Sequence, residues 1–163
     1  DELYPDLPVL FSTTKLNPEI LNQMYNTFST TINIASNEGF GLSTLESLAT
    51  ETPIICNRTG GLKDQIDNDN TWGIGLNPTI RKMSGDSNTP FLYEDFVDSD
   101  SLCDAMLTMT NKSDDEISKM GSLGREYVSS NFSLNNMING IKQGITKTLT
   151  NFKPQPTYRI ERI

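Results

Sequence analysis

Histidine is absent from this 163-residue sequence, and cysteine occurs only at Cys56 and Cys103. Two cysteines far apart in sequence, both in apolar surroundings, support neither a disulfide framework nor, without histidine, a zinc site. A reduced, cytoplasmic setting is the expectation. Long apolar runs are missing as well: none approaches the roughly 20 residues of a transmembrane helix. The opening Asp1-Glu2-Leu3-Tyr4 has neither the basic region nor the apolar stretch of a signal peptide. It also lacks an initiator Met, so a start within a longer protein is expected. Cations are few, 13 Lys and Arg against 21 Asp and Glu, for a formal net charge of -8. No nucleic-acid binding is expected on that charge, because a duplex footprint needs clustered positive side chains. What is present, 35% hydrophobic and 21% charged residues, suits one folded unit with a real core.

Strand and helix signals alternate over the first half. Val9-Leu-Phe-Ser-Thr13 reads as a short buried strand, and Asn17-Pro18-Glu19 as an N-cap, a first-turn proline and a first-turn acid. Leu21, Met24, Tyr25 and Phe28 then recur at helical spacing, and Ile32 and Ile34 alternate with polar neighbours as in a strand. Leu42, Leu45, Leu48 and Ala49 return to the helical period; Thr52 to Cys56 is the next strand, Leu62 to Ile66 a short helix, and Gly73 to Leu76 a fourth strand. This alternation predicts an α/β fold, a parallel sheet with helices on both faces.

Beyond residue 97 the signals are helical only. Asp98 to Ser101 caps a stripe of Leu102, Ala105, Met106 and Met109, and Ser113 with Glu116 has capping-box spacing before Ile117, Met120, Tyr127 and Val128. A last helix carries Leu134, Met137, Ile138, Ile141, Ile145 and Leu149, and Lys153-Pro-Gln-Pro156 reads as an extended strap. Residues 77–97 form a long connection, read either as a functional contact loop or as a surface insertion. The domain is placed at residues 1–150 and the tail at 151–163.

The chemistry concentrates in Asn37-Glu-Gly-Phe-Gly-Leu-Ser-Thr-Leu-Glu46, with carboxylates at Glu38 and Glu46 around a Gly-Phe-Gly. It falls just past a strand and just before a helix, where open α/β sheets bind ligands. Gly39 and Gly41 let the backbone come close to a ligand. The unpaired amides from about Phe40 to Ser43 then face it at the positive end of a helix dipole, which suits phosphate or sugar oxygens. At 100° per residue Glu46 lies about 90° from the leucine stripe, on the border of the buried face. A partly buried carboxylate there needs a donor, and a ribose diol offers two hydroxyls without adding charge. Glu38 can serve sugar hydroxyls in the same way. The plainer alternative is that both acids only favour a helix N-terminus, worth roughly 0.3–1 kcal/mol each.

The run from Asn33 to Gly61 resembles the signature of retaining glycosyltransferases of the two-Rossmann-domain (GT-B) architecture, especially family 4. The resemblance is carried by Glu-Gly-Phe-Gly-Leu, a Leu-Glu-x-Leu-Ala helix, a proline-initiated apolar strand and Gly60-Gly61 in order. Weaker similarity covers Asn17 to Ile34 and Ser122 to Ser133. It implies the C-terminal, nucleotide-sugar-binding domain of such an enzyme, Rossmann-like and ending in a helical segment. By that resemblance Glu38 is the catalytic position and contacts the transferred sugar. The amides of Gly39, Phe40, Gly41 and Leu42 contact sugar and diphosphate, and Glu46 holds the ribose. The implied reaction transfers a hexose with retained configuration from a nucleotide diphosphate sugar, with UDP the commonest nucleotide, to an unknown acceptor. No metal and no cofactor are implied.

The family's domain carries two further strand–helix units ahead of the equivalent of Val9, with the Arg and Lys that neutralise the diphosphate. Their absence makes a portion of a larger enzyme the expectation, inactive alone and requiring an upstream portion. Arg58, Lys63, Arg81 and Lys82 are the cations available as substitutes, with solvated surface charge as the plainer reading. Two alternatives are a non-catalytic binding or assembly module, suggested by the aromatic stretch Phe91 to Phe96, and an epimerase or phosphorylase of the same architecture. A phosphorylase needs a pyridoxal lysine motif that the sequence does not show.

Overall fold

The structure is a computed structural model that describes residues 11–154. Helix α1 (Pro18–Tyr25) starts where the cap signal places it, with the Asn17 side chain accepting from the Ile20 N–H at 2.8 Å. Strand β1 (Thr31–Asn33) leads through the 34–41 loop into α2 (Leu42–Ala49). Strand β2 (Ile54–Asn57), a 3-10 turn (Gly60–Asp64) and β3 (Gly73–Leu76) follow. The three strands form one parallel sheet in the order β1-β2-β3, with Ile54 beside Thr31 and Gly73. Val9 and Leu10 lie outside the described residues, and Phe11 to Thr13 form no strand.

Strand β2 is buried along its whole length, and its two faces feed two cores. Ile54 and Cys56 pack with Leu48, Leu62 and Ile66 on one side, against Trp72, Tyr127 and Val128. Ile55 packs with Leu76, Ala105, Met109 and Met120 on the other. This is the period-2 alternation of a strand covered on both faces. Burial also pushes the Cys56 thiol up to about 12, whereas Cys103 is exposed, contrary to the expectation of apolar surroundings for both.

The 77–97 connection is a hairpin. Strand β4 (Ile80–Ser84) pairs antiparallel with β5 (Leu92–Phe96), Ile80 opposite Phe96 and Ser84 opposite Leu92. Helices α3 (Ser99–Thr110), α4 (Asp114–Asn131) and α5 (Leu134–Asn151) complete the described chain. The Asp98 cap and the Ser113–Glu116 capping box both form. Helix α4 lies close over the end of α2: a Cβ at Gly121 would stand 2.0 Å from the Glu51 carbonyl oxygen. Helix α5 keeps the expected amphipathic spacing but buries none of its residues. Lys153 and Pro154 have no regular structure, and Gln155 and Pro156 lie outside the described residues. No helix among the described residues is long and apolar enough to cross a membrane.

Candidate active site

The loop after β1 is held at the carboxyl end of the sheet by backbone contacts that only glycine permits. The Gly61 N–H donates to the Glu38 carbonyl at 2.9 Å. A Cβ on Gly60 would lie 2.0 Å from the same carbonyl oxygen, and Gly60 has φ +45°. The buried Gln65 side chain donates from Nε2 to the Phe40 carbonyl, and the Phe40 ring meets Phe132 edge-on at 5.9 Å. Phe132 in turn meets Tyr127, which stacks on Trp72 at 4.4 Å. The loop is thus tied on one side to the 3-10 turn and to helix α4.

Gly41, at φ +88°, is the N-cap of α2 and supplies no side-chain cap. The first intrahelical bond runs from Leu45 N–H to the Gly41 carbonyl at 3.3 Å. The amides of Leu42, Ser43 and Thr44 precede it and have no partner within the helix. Gly39 presents the opposite situation from Gly60: no atom lies within 4 Å of a Cβ built there. Neither packing nor an unusual backbone angle requires glycine at this position, so its side of the loop is open for a ligand. Glu38 beside it is half-buried.

Glu46 departs from the expectation of a partly buried carboxylate; it is exposed. The buried residues of α2 are Thr44, Leu45, Ser47 and Leu48. At 100° per residue their mean direction is about 180° from Glu46. Leu42, 68% exposed, and Ala49 lie outside that face, while two small polar residues belong to it. The reason is the polar seam with β1: Thr31 Oγ1 donates to Ser47 Oγ at 2.7 Å, Ser47 Oγ to the Thr52 carbonyl at 3.0 Å, and Asn33 Nδ2 to Thr44 Oγ1 at 3.3 Å. Ile32 and Ile34 accordingly remain 43% and 46% exposed.

Glu46 instead faces α1. The Tyr25 hydroxyl lies 3.2 Å from Glu46 Oε2, which it reaches as donor, and 3.3 Å from the Ser43 carbonyl. Burial, followed by the charge and hydrogen bond of Glu46, pushes the Tyr25 hydroxyl up to about 12. The two side chains border a groove of about 250 Å³ between α1 and α2, walled by Pro18, Leu21 and Ala49. Sequence reasoning placed Tyr25 in an apolar stripe and missed this contact; the polar end of a tyrosine within such a stripe was the available signal.

The hairpin borders the same loop. The Asp95 N–H donates to the Ser36 carbonyl at 2.8 Å, and Asn37 Nδ2 to the Tyr93 carbonyl at 3.2 Å. Asn57, fully buried, donates to the carbonyls of Ala35 and Asp95 at 3.0 and 2.7 Å. Arg81 grips the buried Asp95 carboxylate with Nε and Nη2 at 2.7 and 3.2 Å, and Thr59 Oγ1 adds a bond at 3.0 Å. Arg81 above all holds the Asp95 carboxyl below the usual carboxylate range. Among the described residues no group of three or more His, Cys, Asp or Glu is placed to hold a metal ion.

Comparison with known proteins bears on the sequence family and the fold. Residues 9–81 match the family model described as Glycosyl transferases group 1. No curated protein matches the sequence. Among solved structures, sucrose-phosphate synthase (tll1590) from Thermosynechococcus elongatus superposes with a TM-score of 0.63 at 20% identity, over 83% of this chain and 29% of that one. A glycosyltransferase from Rickettsia africae ESF-5 gives 0.53 at 23%, over 76% and 28%. Anabaena Alr3699/HepE, solved with UDP and glucose, gives 0.53 at 16%, over 81% and 30%. The chain therefore spans under a third of the length of these structures. Residues 9–81 are thus similar in sequence to the group 1 glycosyl transferases, and the described residues share the α/β fold of these GT-B neighbours.

Proposed function

We propose that this chain is the donor-binding part of a retaining, family 4-like glycosyltransferase that moves a hexose from a nucleotide diphosphate sugar to an acceptor. The observation that carries the reading is one arrangement: an open-sided Glu38-Gly39-Phe40-Gly41 loop running into the uncapped first turn of α2, with Glu46 one turn further on beside an apolar groove. The amides of Gly39 to Leu42 suit the charged diphosphate, since they are fixed donors at the positive end of a helix. Glu46 has acceptor capacity left after Tyr25, which suits a ribose diol. The walls of the groove suit the nucleoside. Glu38, half-buried at the loop, serves the hydroxyls of the transferred sugar.

In this reading charge develops on the leaving diphosphate as the glycosidic bond loosens, and the amides stabilise it without a metal. A UDP sugar is the proposed donor, in keeping with the UDP-bound Anabaena neighbour. Transfer itself requires more of the protein than this domain, placed at residues 1–150, and its setting is cytoplasmic. Calorimetric titration with UDP, GDP and ADP sugars, with and without Mg²⁺, tests the reading: one donor should bind irrespective of the metal, and Glu46→Gln should weaken it. Failure of a folded, full-length protein to bind any donor would favour a non-catalytic assembly module. The exposed Phe91, Tyr93 and Met83 of the hairpin would then be its contact surface.

A further inference from the structure

Four cations, Arg58, Lys63, Arg81 and Lys82, follow the candidate loop in sequence, and the fold gathers three of them. Arg58, Lys63 and Arg81 line one cavity of about 570 Å³ at the carboxyl ends of β2 and β3, together with Asp95, Asn77 and Thr79. Lys82 falls on the other face of β4 and does not line it. Three cations and one carboxylate leave a local excess of positive charge in a chain whose formal net charge is -8. Such a cavity concentrates anions because its walls focus the field.

Each cation is held in a different way. Asp95 clamps Arg81 through one edge of the guanidinium, which fixes its orientation while the side chain stays 59% exposed. Arg58 donates from Nη2 to the Asp67 carbonyl at 2.6 Å and from Nη1 to the Ile66 carbonyl at 3.4 Å, neutral acceptors that leave its charge uncancelled. It lies directly on Gly75, where a Cβ would be 2.5 Å from the guanidinium carbon. Lys63 has no hydrogen bond or ion pair among the described residues, so its ammonium donors are available. A fixed guanidinium, a second buttressed one and an unpaired ammonium around one space match the oxygens of a phosphoryl group.

We propose that this cavity binds a phosphoryl group other than the donor's diphosphate, such as that of a sugar phosphate. The inference stands apart from the roles given to Glu38 and Glu46. Lys63 supplies direct donors, Arg81 a preoriented fork, and Arg58 mainly charge.

The test is calorimetric titration of the full chain with inorganic phosphate, glucose 6-phosphate and UDP, in wild type, Lys63→Gln and Arg81→Gln. Lys63→Gln is the primary variant, since it breaks no contact and should melt with the wild type; Arg81→Gln strips buried Asp95 of its partner and is read beside its melting curve. Saturable phosphate binding is expected, weakened roughly tenfold or more in Lys63→Gln. Parallel loss of UDP affinity would put the nucleotide diphosphate in this cavity and overturn the proposal of a separate phosphoryl site. Loss of glucose 6-phosphate with UDP unchanged would assign it to a sugar phosphate. No saturable phosphate binding in wild type, or equal binding in Lys63→Gln, would overturn the proposal. Glu46→Gln should leave phosphate binding unchanged, so that failure of the donor-site reading is seen separately.

Discussion

Gly39 and Gly60 lie on the two sides of one chain crossing, and a methyl group would meet opposite surroundings at each. At Gly60 it would run into the Glu38 carbonyl at 2.0 Å; at Gly39 it would meet nothing within 4 Å. The side of the loop toward the 3-10 turn is therefore fixed by packing, and the other side is left free. A loop clamped on one side and open on the other can present its amides to a ligand without rearranging, which is how a fixed environment favours developing charge.

The largest expected effect comes from crowding the packed side. Gly60→Ala combines a backbone clash with a left-handed φ, and about 2–5 kcal/mol of stability should be lost in denaturant unfolding. Glu46→Gln moves the contrast to binding: donor affinity in calorimetry should fall by roughly 1.5–3 kcal/mol, the scale of a charged hydrogen bond, with little change in melting. Tyr25→Phe should cost less than about 1.5 kcal/mol of stability, because its bonds to Glu46 and Ser43 are exposed. Gly39→Ala, on the open side, should stay within about 0.5 kcal/mol of wild-type stability while donor binding weakens. Loss of stability there comparable to that of Gly60→Ala would erase the contrast.

Tyr25 also gives the Glu46 contact a pH signature. Its hydroxyl is raised from 10.0 to about 12, so its contribution to stability is complete below pH 10 and is lost as pH rises toward 12. Ultraviolet titration of Glu46→Gln should find that ionisation lowered partway, with the part that burial supplies retained. Asp95 runs the other way. Its carboxyl is depressed, chiefly by Arg81, so its contribution is present above the ordinary carboxylate range and is lost as pH falls through its lowered value.

Much of this architecture was legible because its signals are local. Asn17-Pro18, Asp98 and the Ser113–Glu116 pair each satisfy orphan amides at a helix start, whatever the rest of the chain does. Gly73 to Leu76 became a strand with the expected bounds. The hairpin was not legible: β4 is exposed at Ile80, Arg81, Lys82 and Met83 alike, so no alternation marks it, and its strands are joined by the long turn from Gly85 to Phe91 rather than by a two-residue turn. Periodicity also gives the faces of an element without saying which is covered. Helices α2 and α5 both carry apolar stripes, yet α2 buries Thr44 and Ser47 with Leu45 and Leu48 through hydroxyl bonds to β1 and to Thr52 ahead of β2, while α5 buries nothing. Glu46 was misplaced for the same reason, since hydroxyl groups that find partners across a seam are invisible to a hydrophobic count. The loop Glu38 to Gly41 was legible as a candidate site because its glycines and acids are adjacent in sequence. Tyr25, its contribution brought from another helix, was not.

The most direct test of the central claim is amide chemical-shift mapping of the chain during titration with UDP-glucose. The account predicts shifts centred on Gly39 to Ser43 and on the groove around Glu46, diminished in Glu46→Gln. Shifts confined to other parts of the fold, with the 39–43 amides unmoved at saturation, would contradict it.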